Sequence, residues 1–181
     1  MSKLRLIAVP VLAAAMGLAS AATANAATAT ITKAEYDKIK LGVSTATMHA
    51  AAGRGACKLV SSSTVGGITL KSYECKGNKP YSSANFSFTN NKLDLRMQVL
   101  LDGGTSNGKM TKAKYLKVTV GKTITQMKEI TGTGTCVRTG QSEMKGLRTS
   151  TYECEQASTG GAAIFLFENG KLDMRSQYGL R

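Results

Sequence analysis

The chain repeats itself at one fixed offset. Laid beside Met110-Thr111-Lys112-Ala113-Lys114-Tyr115, the segment Ile31-Thr32-Lys33-Ala34-Glu35-Tyr36 sets a spacing of 79 residues that runs without a gap to the C-terminus. Gly42 then meets Gly121, Met48 meets Met127, Gly53 meets Gly132, Cys57 meets Cys136 and Gly67 meets Gly146. Tyr73-Glu74-Cys75 falls on Tyr152-Glu153-Cys154, Phe86 and Phe88 on Phe165 and Phe167, Lys92-Leu93-Asp94 on Lys171-Leu172-Asp173, Arg96 on Arg175 and Gln98 on Gln177. A match of this specificity marks a duplicated structural unit, so whatever architecture one copy adopts the other must adopt as well.

Ahead of the first copy lies a stretch of different character. Lys3 and Arg5 precede an apolar run from Leu6 to Leu18, broken only by Pro10 and Gly17, and Ala24-Asn25-Ala26 has the small-x-small form of a cleavage site. Residues 1–26 read as a secretory signal peptide cut near Ala26, because the apolar run is shorter than the roughly 18 residues a membrane span needs. Cleavage leaves 155 residues with a net charge of +11, divided into a first unit over 27–105 and a second over 106–181. No later stretch is apolar enough to cross a bilayer. An exported chain meets oxidising conditions, where cysteines pair. Four cysteines allow three pairings, but a duplicated unit carries its own crosslink, which selects Cys57 with Cys75 and Cys136 with Cys154. Closing an 18-residue loop contributes roughly 3 kcal/mol on the chain-entropy model, a large share for units of about 75 residues with small cores.

Within each copy, helical signals come first and strand signals follow. Thr32 with Glu35 forms a capping box before Tyr36 and Ile39, and Gly42 is expected to end that helix. Ser44 opens a second, Ala46 to Ala52, stopped at Gly53; in the second copy Thr123 and Gln126 cap a helix that ends at Gly132. Strands are expected over Cys57 to Ser61, Ile68 to Cys75, Tyr81 to Thr89 and Lys92 to Leu100. Asn90-Asn91 and Asn169-Gly170 mark hairpin turns, and Gly103 to Gly108 a linker. The fold class is therefore α+β, a tandem repeat of two α-α-β-β-β-β units with antiparallel meander sheets. Leu93, Leu95, Met97 and Val99 alternate with polar neighbours, which predicts one buried and one wet side for the fourth strand. If Phe86, Phe88, Phe165 and Phe167 face the helices, Ile164 and Leu166 lie on the face that no helix covers, as a contact patch or as packing between the repeats.

Catalytic chemistry finds little footing. The chain has one His and no Trp, so a histidine metal cluster would need shared ligands, and a nucleophile-His site has only His49 to use. His49 lies on an Ala-rich helix, and Lys128 stands at its matching place; it reads as structural. Glu74 and Glu153 are matched carboxylates expected to pair across strands with nearby Lys or Arg. Gly132-Thr133-Gly134 follows a helix, whereas a phosphate loop precedes one. No enzyme, metal or cofactor is expected. Basic residues are spread over both units, with 10 basic and 5 acidic groups in 27–105 and 12 and 6 in 106–181. Lys109, Lys112, Lys114, Lys117 and Lys122 cluster near the second copy's first helix, where they can attract anionic polymers or serve as a solvated face. Aromatic residues are not interleaved with them as single-strand binding requires, so nucleic acid is not expected as a partner.

The tandem α-α-β-β-β-β order with one disulfide per copy, the segments Tyr36-Asp37-Lys38-Ile39-Lys40-Leu41-Gly42 and Tyr115-Leu116-Lys117-Val118-Thr119-Val120-Gly121, and the paired phenylalanines of the third strand resemble the β-lactamase inhibitory protein family over residues 31–181. The resemblance implies two sheets side by side as one eight-stranded concave surface that clasps a class A β-lactamase, with two loops entering the enzyme's active site. It also implies losses. The loop matching the family's carboxylate-bearing plug, Lys76 to Ser83, has no Asp or Glu, and the loop matching its Phe-bearing plug, Glu155 to Gly161, has no aromatic residue. Leu166 and Tyr178 stand where the family has Trp, and Glu74 where it has His. Interface energy concentrates in such aromatic anchors. The expected protein is a secreted, extracellular, monomeric, non-catalytic protein-binding module that inhibits class A β-lactamases weakly or not at all. Its expected contact residues are Glu74, Lys79, Tyr81, Ile164, Leu166, Arg175 and Tyr178. The expected partner is another protein, such as a class A β-lactamase or a related penicillin-recognising protein, and no membrane once the leader is gone. The alternatives are a genuine inhibitor with altered contacts and an electrostatic binder of anionic cell-wall polymers.

Overall fold

Hydroxyl side chains open all four helices among the described residues. Thr32 caps α1 (Lys33–Lys38) and Ser44 caps α2 (Thr45–Ala52), while Thr111 caps α3 (Lys112–Lys117) and Thr123 caps α4 (Ile124–Thr131). Each accepts the otherwise orphaned amide three residues on, at 3.2 Å. In α1 and α4 the capping box closes, with Glu35 and Gln126 reaching back to the cap residue's amide. The structure, a computed structural model, describes residues 29–181, and the expected signal peptide lies outside the described residues. Helices of six and eight residues are too short to persist alone, and they are held by what they cover.

What they cover is one antiparallel sheet of eight strands in sequential order. The strands are β1 (Cys57–Val65), β2 (Ile68–Lys76), β3 (Ser83–Thr89), β4 (Lys92–Val99), β5 (Cys136–Met144), β6 (Leu147–Gln156), β7 (Gly161–Glu168) and β8 (Lys171–Tyr178). The two sheets expected side by side are one continuous ladder of eight strands. β4 pairs with β5 from Leu95 opposite Met144 to Val99 opposite Gly140, so the two inner edges satisfy each other's backbone groups instead of being left open. The fold is also richer in β-structure than an α+β reading implies. α1, α2, β1, β2 and β4 each recur 79 residues later as α3, α4, β5, β6 and β8. Asn90 and Asn91, at φ 48° and 61°, and Asn169 and Gly170, at 48° and 81°, have the left-handed pair of conformations a type I′ hairpin turn demands. The expected disulfides are present, Cys57–Cys75 and Cys136–Cys154, each joining residues directly opposite in β1/β2 and β5/β6.

Beneath each helix pair sits a hydrophobic cluster. Tyr36, Ile39 and Met48 meet Phe86, Phe88 and Leu93 in the first; Val118 and Met127 meet Phe165, Phe167 and Leu172 in the second. Two smaller expectations shift. α1 ends at Lys38 with Ile39 as its C-cap, so Gly42 lies in the turn beyond it, and Tyr81, at φ 59°, precedes β3 rather than starting it.

The larger correction concerns β4. Phe88 is opposite Leu93 but Ser87 is opposite Leu95, so Asp94 is an extra residue; Asp173 is its equal in β8, where Phe167 opposes Leu172 and Leu166 opposes Met174. A bulge of one residue reverses the alternation beyond it. Arg96 and Gln98 therefore turn toward the helices and are buried, while Leu95, Met97 and Val99, expected inside, lie on the uncovered face. The inward arginines have work there. Arg96 Nη1 donates to the carbonyls of Tyr36 (3.2 Å) and Ile39 (2.6 Å), and Arg175 Nη1 to those of Tyr115 (2.8 Å) and Val118 (2.7 Å). These carbonyls lie at the C-terminal ends of α1 and α3, where those of Tyr36 and Tyr115 otherwise accept only the cap amides of Ile39 and Val118, at 3.1 Å each, and a cation suits that end of a helix. The guanidinium carbons lie 5.0 Å from the Tyr36 ring centroid and 4.7 Å from that of Tyr115.

Across the β4–β5 seam the same layer carries charge. Arg96 Nε donates to Glu143 at 2.9 Å, and Arg138 Nε to Asp102 at 2.8 Å. Gln98 donates to the same Asp102 oxygen at 2.8 Å and accepts from the Leu101 amide at 2.9 Å. Burial pushes the Asp102 carboxyl up, but the hydrogen bond and charge of Arg138 outweigh it and hold the group below the usual carboxylate range. Asp102 in return raises Arg138.

Candidate functional site

Directly opposed residues of a sheet share a face, so the register assigns every strand residue to the helix-covered side or the bare one. On the bare side of the first half stand Lys58, Glu74 and Asn85 in one row and Ser61, Ser72 and Ser87 in the next, followed toward the seam by Met97 and Leu95. On the second half Thr151 lies opposite Leu166 and Leu166 opposite Met174, while Glu153 opposes Ile164 and Ala162 opposes Tyr178. Strips of Ser and Thr separate apolar islands. One is at the seam, made by Leu95, Met97, Val99 and Met144; another is on β7 and β8, made by Ile164, Leu166, Met174 and Tyr178; a third is Val65, Ile68 and Leu70 near the β1–β2 turn.

Of the seven expected contact residues, the structure brings three together. Ile164, Leu166 and Tyr178 share the second island, with Ile164 and Tyr178 exposed and Leu166 half-buried. Glu74 is on the same face but on β2, five strands from β7, bordering a depression lined by Lys58, Val60, Lys76 and Ser83. Lys79 and Tyr81 are on the β2–β3 connection at the end of the sheet. Lys79 Nζ donates to the Asp102 carbonyl at 2.7 Å, which ties that loop to the linker, and its amide donates to Ser82 Oγ at 3.0 Å. Tyr81, held in the left-handed region by this tight loop, projects with 92% of its surface exposed. Arg175 is not on the bare face at all. The bulge at Asp173 turns it under α3, where its hydrogen bonds are structural. The residues that the sequence reading missed are Leu95, Met97, Val99, Met144 and Met174.

The carboxylates Glu74 and Glu153 are equally placed but differently surrounded. Glu74 has Lys58 opposite it, whereas Glu153 faces Val137 and Ile164. Among the described residues the ion pairs are Lys33–Asp37, Arg96–Glu143 and Arg138–Asp102, so neither glutamate makes the expected cross-strand pair. His49 packs edge-on against Tyr73, with ring centroids 5.1 Å apart.

Exposed apolar islands on a solvent-facing sheet, flanked by two short end loops, are features of surfaces that contact other macromolecules. The family model described as beta-lactamase inhibitor (BLIP) matches residues 32–154. No curated protein matches the sequence significantly. Among solved structures, a protein from Streptococcus mutans, provisionally named a beta-lactamase inhibitor protein, is similar with a TM-score of 0.50 and 20% identity, over 84% of this chain and 91% of its own. At that identity the likeness speaks for the fold.

Proposed function

Since the chain belongs to the β-lactamase inhibitor family, we propose that it is a secreted, non-catalytic module, duplicated from one ancestral unit, that grips a partner protein with its uncovered sheet face. The observation that carries this reading is the pair of apolar islands left bare on that face, Met97 and Val99 with Met144 at the seam and Ile164 with Tyr178 on β7 and β8. Nonpolar side chains of this size are more often turned inward, and exposed clusters of them mark contact surfaces. The paired cysteines and the leader-like residues 1–26 support export. On the face itself, Leu166 and Tyr178 replace aromatic anchors that the family resemblance leads one to expect, and the loop from Glu155 to Gly161 carries no aromatic residue. Class A β-lactamases are therefore bound weakly or not at all. Titrating the purified protein against several class A enzymes with a chromogenic substrate tests this: rates stay unchanged at micromolar protein, and nanomolar inhibition would overturn the reading.

A second reading has one observation in its favour. Tyr81 stands out from the end of the sheet on a loop pinned by Lys79 and Ser82, and a pre-ordered aromatic anchor loses little entropy on binding. A genuine inhibitor with altered contacts would insert this side chain, and Tyr81→Ala would then abolish whatever inhibition the titration detects.

A further inference from the structure

The opposite side of the molecule carries a different surface. Between residues 109 and 131, which include α3 and α4, Lys109, Lys112, Lys114, Lys117, Lys122 and Lys128 stand against Glu129 alone. Lys114 donates to the carbonyls of Lys109 and Thr131 at 2.9 and 2.8 Å, and among the described residues none of the six is in an ion pair. In the midst of these cations two apolar side chains are bare: Leu116, 56% exposed, and Val120, 65% exposed. Lys112 and Leu116 lie one helical turn apart on the same strip of α3, Lys117 adjoins Leu116, and Val120 and Lys122 occupy the turn that follows.

The first half has no such surface. At the place of Leu116 it has Asp37, paired with Lys33, and at the place of Lys114 it has Glu35, which serves the α1 cap. Its counterpart of Val120 is Leu41, packed on the first core. The second copy has thus exchanged two acidic groups for an ammonium and a bare leucine on one short helix.

We infer that α3 and the turn after it form a peripheral docking surface for an anionic lipid bilayer. A headgroup layer uses both components, attracting the lysines by charge and taking Leu116 and Val120 into the boundary below the phosphates. A soluble polyanion would engage the lysines and leave the two apolar groups idle. Because helices and bare sheet face lie on opposite sides, the chain can rest on a membrane with its contact face toward the medium. This departs from the expectation of no membrane partner. Hydropathy detects a span, and a two-residue apolar tip among lysines is visible only once the helix is folded and packed.

The test is flotation of the exported protein with phosphatidylcholine vesicles, with and without phosphatidylglycerol, over a salt series. Retention is expected only on the phosphatidylglycerol vesicles, falling steeply as salt rises. It should drop about fivefold for each of Lys112→Gln, Lys117→Gln and Lys122→Gln, and about tenfold for Leu116→Asp, which installs the first half's residue at an exposed position and leaves the melting temperature unchanged. No retention on phosphatidylglycerol vesicles overturns the inference. So does retention that Leu116→Asp leaves intact, or equal binding to soluble poly(glycerol phosphate), either of which would identify a polyanion site instead.

Discussion

The helix-facing layers of the two halves are nearly copies of each other, and the bare faces are not. Under the helices Tyr36 matches Tyr115, Phe86 and Phe88 match Phe165 and Phe167, Leu93 matches Leu172, and Arg96 and Gln98 match Arg175 and Gln177. On the open side Asn85 is matched by Ile164, Ser87 by Leu166, Lys58 by Val137, Lys76 by Glu155, Met97 by Ser176 and Val99 by Tyr178. Packing density explains the first set, since a change of one methylene in a closed core is felt. The second set is constrained only by solubility and by whatever it touches. One side of the sheet specifies the fold twice over, and the other has been free to diverge, which under the proposed function makes it two different halves of a single contact surface.

If that division is right, the largest losses come from equivalent core positions and are equal. Phe86→Ala and Phe165→Ala should each cost about 4 kcal/mol, read as matching drops in urea midpoint; a large inequality would show that one half carries the other. The arginines should then separate the halves. Arg96, 4% exposed and also paired with Glu143, should lose about 3 kcal/mol on replacement by Ala, because two helix-end carbonyls and the half-buried Glu143 carboxylate lose their donor together. Arg175, half-buried and bonded to carbonyls alone, should lose about 1.5 kcal/mol; calorimetric melts of the two variants measure the gap.

The seam comes next. Asp102 has its folded-state pKa lowered, so it stabilises the protein above the unfolded carboxyl value of about 3.9 and that contribution is lost as pH falls through the lower folded value. Asp102→Asn should cost about 1 kcal/mol at neutral pH and flatten the decline in stability on acidification. An unchanged acid profile would remove the Asp102–Arg138 pair from the account. Smallest of all are the exchanges on the open face. Ile164→Asn, which installs the first half's residue, should alter stability by about 0.5 kcal/mol or less while weakening capture of whatever protein the face holds. An appreciable fall in melting temperature would mean that Ile164 is packing rather than contact.

Much of the framework was legible beforehand because its signals are local. Hydroxyl caps three residues ahead of a free amide, Asn-Asn and Asn-Gly turns, and a cysteine pair within each copy depend on a few neighbouring residues, and all took their expected places. The bulge did not announce itself. Leu93-Asp94-Leu95-Arg96-Met97-Gln98-Val99 alternates without interruption, and a period of two cannot report that one residue has been left out of the ladder. A signal did exist in the internal comparison. Arg96 and Gln98 recur as Arg175 and Gln177, whereas Met97 and Val99 become Ser176 and Tyr178, as happens when the polar pair is inside and the apolar pair outside. Pairing of β4 with β5 came only from the family resemblance, which implied one eight-stranded surface, since no pattern within either strand names its partner across the linker. The faces of the expected contact residues fared accordingly: those of Ile164 and Leu166 followed from the phenylalanines' phase, Tyr178 came from the family resemblance, and Arg175 was turned inward by the bulge.

The β4–β5 ladder has a mechanical meaning as well. Two platforms joined by a flexible tether would need to swivel into place around a guest and would lose rotational freedom in doing so; welded through five registered residue pairs, they arrive already aligned. Association should accordingly proceed in a single kinetic phase, and a guest whose contour suits just one platform gains nothing from the other, so selectivity resides in the shape of the whole surface.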